Sequence, residues 1–243
     1  MKAQPSKTTY LHAHDRQGLI LRSVTKTYSR GREQVPALRG ISLRLPAGCQ
    51  VALMGPSGCG KTTLLHCMAG IIRPTSGAIE TNGVDLTRMS QPEISRFRLS
   101  NFGFIFQDEQ LLPELTNEEN IALPLMLAGH TRSDAIRAAG EILERLHITA
   151  LASTRPGQVS GGQAQRVAIA RALVTAPSVV FADEPTGSLD QATGHQIMRL
   201  LTHVCAENGA TLVLVTHDQS VARFLPHTVH MRDGLIATEG ARQ

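Results

Sequence analysis

Gly55-Pro56-Ser57-Gly58-Cys59-Gly60-Lys61-Thr62-Thr63 fits the spacing G-x-x-x-x-G-K-S/T. The run before it, Gln50-Val-Ala-Leu-Met54, is short and apolar and reads as a buried strand. The run after it, Thr63-Leu-Leu-His-Cys-Met-Ala69, has helical composition and meets no breaker before Gly70. Strand, glycine-rich loop and helix, in that order, is the setting of a phosphate-binding loop. Glycines let successive N–H groups converge on one concavity, where a Cβ would obstruct phosphate oxygens. The helix that follows adds unpaired N-terminal N–H groups and the positive end of its dipole. Lys61 has the length to reach β- and γ-phosphates, and Thr62 carries a hydroxyl suited to Mg²⁺. A plain strand-to-helix turn would use the glycines alone; the Lys61-Thr62 pair argues for the phosphate loop.

Toward the N-terminus, Pro46-Ala-Gly48 is a turn, and Ala37 to Leu45 alternates apolar and polar side chains as a half-buried strand does. Ser29 to Gln34 is a further turn, Leu19 to Val24 another strand, and residues 1–18 read as a loose tail. Tyr28 is one of two tyrosines. Its ring is suited to stacking on a nucleobase and equally to packing on a small sheet.

Toward the C-terminus, Asn82-Gly83 between short strands signals a hairpin. Phe102 to Phe106 reads as a buried strand ending at Gln107. An amide there suits Mg²⁺ and a positioned water, although Gln107 by itself reads as a solvated residue. Residues 108–127 are unusually apolar for a connector and contain Pro113 and Pro124. Thr131 and Asp134 fit a capping box, after which Ala135, Ile136, Ala139, Ile142, Leu143 and Leu146 recur at helical spacing and predict core packing. Ser160-Gly161-Gly162-Gln163 opens a helix that runs through Val174. That turn is either a second anion site or a simple serine cap. Val179-Val-Phe-Ala-Asp-Glu184 is an apolar strand ending in adjacent carboxylates, which are costly to bury unless a cation sits near. Successive strand side chains point opposite ways, so Asp183 and Glu184 are expected to divide the work: one for a metal shell, one for a water. Thr186 to Asp190 is a turn capping the next helix. Thr211 to Val215 is a strand leading to His217, at the carboxyl end where open α/β sheets bind ligands. Residues 228–239 read as a hairpin around Arg232-Asp-Gly234.

Composition bounds the function. The 243 residues, 42 % apolar, suffice for one large α/β domain or a core with an inserted subdomain. A net charge of +4 with scattered basic residues argues weakly against a nucleic-acid surface, and 3 % aromatics without Trp leaves few stacking platforms. Cys49, Cys59, Cys67 and Cys205 form no C-x-x-C pair, which points to a reducing compartment and no cysteine metal site. Apolar runs fall well short of the ~20 residues of a membrane span, and the first residues lack a signal-peptide core. A cytoplasmic protein is expected, serving a membrane only through a partner.

Taken together, these motifs resemble the ATP-binding cassette (ABC) ATPases over nearly the whole chain. Tyr28, the phosphate loop, Gln107, Ser160-Gly161-Gly162-Gln163, Asp183-Glu184 and His217 occur in the family's order, and Leu189-Asp190 matches the loop after the carboxylates. Val159 stands where the family usually has Leu, a conservative apolar change. The resemblance implies an α/β P-loop NTPase fold of ABC ATPase type over residues 19–243. It has a mostly parallel core sheet with helices on both faces, an N-terminal antiparallel β-subdomain, and a helical subdomain inserted at about 108–175. It further implies ATP and Mg²⁺. The nucleotide would contact Tyr28, Gly55, Pro56, Ser57, Gly58, Cys59, Gly60, Lys61, Thr62 and Thr63, with Thr62, Gln107 and Asp183 toward the metal. Glu184 would polarise the attacking water, His217 would bond the γ-phosphate, and Lys61 and Gln107 would complete the catalytic set. The active unit would be a head-to-tail homodimer in which Ser160, Gly161, Gly162 and Gln163 of the second copy close each pocket.

Phe106-Gln-Asp-Glu-Gln-Leu-Leu-Pro113, Glu119-Asn120 and Asp183-Glu-Pro-Thr-Gly-Ser-Leu-Asp190 resemble one bacterial subgroup more closely. It comprises the ATPases of lipoprotein-release, macrolide-export and cell-division systems. That resemblance implies a separate membrane permease docking near residues 106–127, no nucleic acid, and a peripheral place on the inner face of the cell membrane. The alternatives are a soluble ABC ATPase acting on nucleic acid or ribosomes, and a force-transmitting envelope regulator in place of an exporter.

Overall fold

The computed structural model describes residues 9–10, 18–31 and 33–237. The described residues divide into two compact units, those up to 94 together with those from 213 onward, and residues 95–212.

The first unit opens with β1 (Thr9–Tyr10), β2 (Gly18–Arg30) and β3 (Glu33–Pro46). β4 (Gln50–Met54), α1 (Lys61–Met68), β5 (Ser76–Thr81) and β6 (Val84–Asp85) follow. Five strands form one sheet in the order β1-β3-β2-β5-β6, antiparallel except for β1 beside β3. β3 is the half-buried strand its alternation predicts: Leu38, Ile41, Leu43 and Leu45 are buried between more exposed neighbours. The Asn82-Gly83 hairpin forms with φ of 50° and 83°, the left-handed pair a two-residue hairpin requires. Apart from Thr9, Tyr10 and Gly18, the expected tail over residues 1–18 lies outside the described residues. Thr9 and Tyr10 themselves pair with Leu43 and Arg44 of β3.

α2 (Gln91–Asn101) leads into the second unit, which holds β7 (Phe102–Ile105), α3 (Asn117–Leu127), α4 (Arg132–Arg145) and α5 (Gly161–Leu173). β8 (Val179–Asp183), α6 (Gln191–Glu207) and the start of β9 (Thr211–Val215) complete it. β7 and β8 pair in parallel, Phe102 opposite Val179 through Ile105 opposite Ala182. An edge-to-face chain of rings from Phe97 to Phe102 to Phe181 packs these strands. α4 buries Ala135, Ala139, Ile142 and Leu143, as its spacing predicts. Its start departs from the expected box: Thr131 accepts from the Asp134 N–H, but the short Asp134 carboxylate accepts from the Thr131 hydroxyl. The full capping box is at Thr116 and Glu119, and it opens α3, a helix that keeps Pro124 inside it where a connector was expected.

The chain re-enters the first unit within β9 and adds α7 (Gln219–Ala222), β10 (His227–Arg232) and β11 (Leu235–Ile236). β10 runs parallel to β4, and the predicted hairpin joins β10 to β11 through Asp233 and Gly234. Its last residues, 238 and 239, lie outside the described residues. No helix among the described residues is long and apolar enough to cross a membrane.

Candidate functional site

In the first unit, buried β4 delivers the chain into the loop at Gly55 and α1 begins at Lys61. Gly55 and Gly60 have φ of 154° and 102°. A Cβ at Gly55 would lie 2.2 Å from the Met231 carbonyl oxygen, and one at Gly60 would lie 2.6 Å from that of Ala37. Both glycines are thus required by neighbouring backbone as well as by their own dihedrals. The turn after β10 pins the loop, because the Gly234 N–H donates to the Cys59 carbonyl at 3.1 Å. α1 has no side-chain cap and no acidic residue in its first turn, so its amino end is open to an anion. Lys61 is only 8 % exposed, and its ammonium donates to the carbonyls of Gly55 at 2.8 Å and Pro56 at 2.9 Å. The same unit carries His217, exposed just past β9, where the Thr216 N–H donates to Leu53 of β4 at 3.2 Å. Tyr28 is 39 % exposed at the far end of β2, with the Lys26 ammonium 5.1 Å from its ring centre. One ring face is thus engaged by a cation.

In the second unit, the parallel pairing of β7 and β8 sends Gln107 and Asp183-Glu184 out of the same carboxyl end. Alternation along a strand does not separate the two carboxylates. β8 ends at Asp183, and Glu184 already has a left-handed backbone, φ 48°. A non-glycine residue there is strained, and such strain concentrates at functional positions. The Gly187 N–H donates to the Glu184 carbonyl at 3.0 Å and closes the turn. Gln107 is exposed yet lodged beside this turn. A Cβ on Gly187 would sit 3.1 Å from its side-chain amide, and the Ser188 hydroxyl donates to its carbonyl at 3.3 Å. Ser160 caps α5 in a reciprocal box with Gln163, accepting from its N–H at 3.3 Å. The capping role anticipated for Ser160 is realised, and the hydroxyl keeps its proton free to give to an anion. Gly162 packs so closely on α6 that a Cβ would meet Thr193 at 2.5 Å.

Residues 38–187 match the ABC transporter family. The chain belongs to that family. Its sequence is 42 % identical over 221 residues to the lipoprotein-releasing system ATP-binding protein LolD of Geobacter metallireducens, covering 91 % of this chain and 98 % of that protein. It is 45 % identical over 221 residues to the macrolide export ATP-binding/permease protein MacB of Syntrophobacter fumaroxidans, which is 90 % of this chain but 31 % of that protein. Among solved structures, the dimeric ATP-binding cassette MJ0796, in a post-hydrolysis state with ADP and Pi, matches with a TM-score of 0.82 at 38 % identity. That match covers 90 % of this chain and 97 % of the other. The cassette has the α/β fold of ABC ATPases, binds ATP and hydrolyses it.

Within the cassette, three further positions matter: Gln165 and Arg171, to which the sequence reading gives no role, and Asn120, which enters only as part of the subgroup resemblance. Gln165, inside α5, is buried and donates to the carbonyls of Phe106 and Pro185. Arg171, further along α5, donates to the carbonyls of Gln110 at 2.6 Å and Glu109 at 2.7 Å, and burial pushes its pKa down from the usual arginine value. Asn120 of α3 ties the preceding loop to its helix, accepting from the Leu112 N–H at 2.7 Å and donating to Leu112 and Thr116 carbonyls at 3.0 Å. Their partners are mostly distant in sequence, so the one local signal is a polar residue in an otherwise apolar stretch. Among the described residues, no group of three His, Cys, Asp or Glu side chains is placed to hold a metal. Thr62, Gln107 and Asp183 each carry an oxygen of the hard kind that Mg²⁺ takes, alongside phosphate and water.

Proposed function

We propose that this cassette energises a separate membrane permease of the lipoprotein-release or macrolide-export type, working as a head-to-tail homodimer peripheral to the inner face of the membrane. Two relatives are named for those two systems, which supports the subgroup. The geometric observation that carries the hydrolytic part is Glu184, held in a strained conformation directly after the strand that presents Asp183. In this proposal the loop amides from Gly55 to Thr63 and Lys61 hold the phosphates, Tyr28 meets the base and His217 bonds the γ-phosphate. Glu184 is the base that orients water. Thr62, Gln107 and Asp183 would hold Mg²⁺, whose charge offsets that of the phosphates when bound. Ser160, Gly161, Gly162 and Gln163 of the second copy close the pocket through hydroxyl and helix-end N–H donors.

The segment around residues 106–127, at the start of the helical subdomain, meets the permease. Leu112 and Leu127, 44 % and 67 % exposed, offer apolar surface for a short helix of the partner. Glu184→Gln is expected to keep ATP binding, lower turnover by about 10²–10⁴-fold, and accumulate an ATP-bound dimer on size exclusion. Normal turnover by that variant removes Glu184 from its role. Affinity purification is expected to retain a membrane protein that stimulates ATPase activity in liposomes. Stimulation by nucleic acid or ribosomes in its place would contradict the permease assignment.

A further inference from the structure

We propose that Gln165 is a positioning residue for hydrolysis, one buried amide that fixes the backbone of Gln107 relative to that of Glu184. Gln165 lies in the second turn of α5 and is 1 % exposed. Its Nε2 donates to the Pro185 carbonyl at 2.8 Å and to the Phe106 carbonyl at 3.3 Å. Both partners can only accept, so the amide nitrogen must face them; the reverse orientation would set oxygen against two oxygens. Each partner adjoins a residue of the hydrolytic site, Phe106 preceding Gln107 and Pro185 following Glu184.

The two tethered segments also touch each other. The Ser188 hydroxyl bonds the Gln107 carbonyl, and Gly187 lies against the Gln107 side chain. Gln165 therefore closes a triangle formed by α5, the exit of β7 and the turn after β8. Glu184 sits at φ 48°, a conformation that persists only where its surroundings impose it. The bond to Pro185 on one side and the Gly187 bond to Glu184 itself impose it here. The other half of the amide gains nothing, because Gln165 Oε1 is buried with no partner among the described residues. A Met of similar length would fill the space without that penalty, so the amide is worth its donors. Ser160 is also the N-cap of α5, so the turn proposed to grip a γ-phosphate and the amide that tethers the residue after Glu184 belong to the same rigid element.

This inference rests on the roles proposed for Glu184 and Gln107, and the experiment separates the two. Gln165→Met removes both donors. Its kcat is expected to fall about 10–100-fold, because small misplacements of a reacting group carry losses of that order. KM for ATP should stay within about twofold, since the phosphate loop holds the nucleotide. Gln165→Glu places a carboxyl against two acceptors, which favours its neutral form. Protonated, it donates one bond; ionised, it donates none. Its kcat relative to wild type is therefore expected to recover by about tenfold from pH 8 to pH 6, while that of Gln165→Met stays flat. A filler role would lower melting temperature and leave kcat per folded site unchanged, with no recovery at low pH; that result overturns the proposal. Should Gln165→Met not fold, the pH profile of Gln165→Glu decides alone. Glu184→Gln is assayed beside them. If it is inactive while Gln165→Met has wild-type kcat, only the positioning role falls. If it turns over normally, the site assignment falls and this inference with it.

Discussion

Lys61 holds its ammonium against two carbonyls of its own loop, Gly55 and Pro56, and is almost entirely buried. Neutral acceptors satisfy its protons without balancing its charge, so a phosphate oxygen offered to the loop gains a charge-assisted bond that the carbonyls cannot match. Lys61→Ala is expected to weaken ATP binding by about 10–100-fold, the equivalent of one hydrogen bond to a charged group at ~1.5–3 kcal/mol. Titration calorimetry reads this directly, and unchanged affinity would contradict the phosphate-loop assignment. Lys61 and Thr62 were legible because their whole context is nine consecutive residues. Gln165 was not, because its meaning comes from Phe106 and Pro185, 59 and 20 residues away. Glu184 was half legible: its carboxylate could be placed at a strand end, but a left-handed backbone at a non-glycine residue leaves no mark in composition.

At the scale of elements, the same division holds. α4 announces itself through buried residues at helical spacing, whereas α2 buries only Ile94 and has no apolar stripe to find. α3 is masked by Pro124, yet Thr116 and Glu119 mark its start with a complete capping box. The Thr116 backbone N–H, and then Arg132, hold the Glu119 carboxyl below its usual range. What anchors the loop before α3 is Asn120, fully buried and bonded to both the N–H and the carbonyl of Leu112. Asn120→Ala would leave these backbone groups without their partner, a loss of about 1–3 kcal/mol. The melting temperature is expected to drop by about 2–10 °C. The freed loop carries Leu112, one of the exposed residues proposed to meet the permease. Stimulation by the partner should therefore fall further than ATPase activity measured without it; equal losses would remove the loop from docking.

For the molecule as a whole, stability should depend on alkaline pH through thiols wholly or partly withdrawn from water. Burial pushes Cys49 and Cys67 up to about 11 and Cys205 to about 12, from an ordinary value near 9. The folded chain then keeps protons that the unfolded chain releases. The stabilisation is complete below pH ~9 and lost as pH rises through 11–12. Denaturant midpoints should fall over that window, less steeply in Cys205→Ala than in wild type. The larger question is whether two copies share each pocket, and the α5 cap allows a clean test. Ser160→Asp keeps a good N-cap, so α5 should stay intact, yet it sets a carboxylate where a phosphate would bind. Homodimers of Lys61→Ala or of Ser160→Asp carry one lesion in every pocket. When the two variants are mixed, a head-to-tail heterodimer concentrates both lesions in one pocket and leaves the other whole. With random exchange, half the dimers are mixed and half their pockets intact, so independent pockets would restore about a quarter of the wild-type rate. If each chain built its pocket alone, mixing would restore nothing, and ATPase activity equal to the mean of the parents would refute the shared pocket.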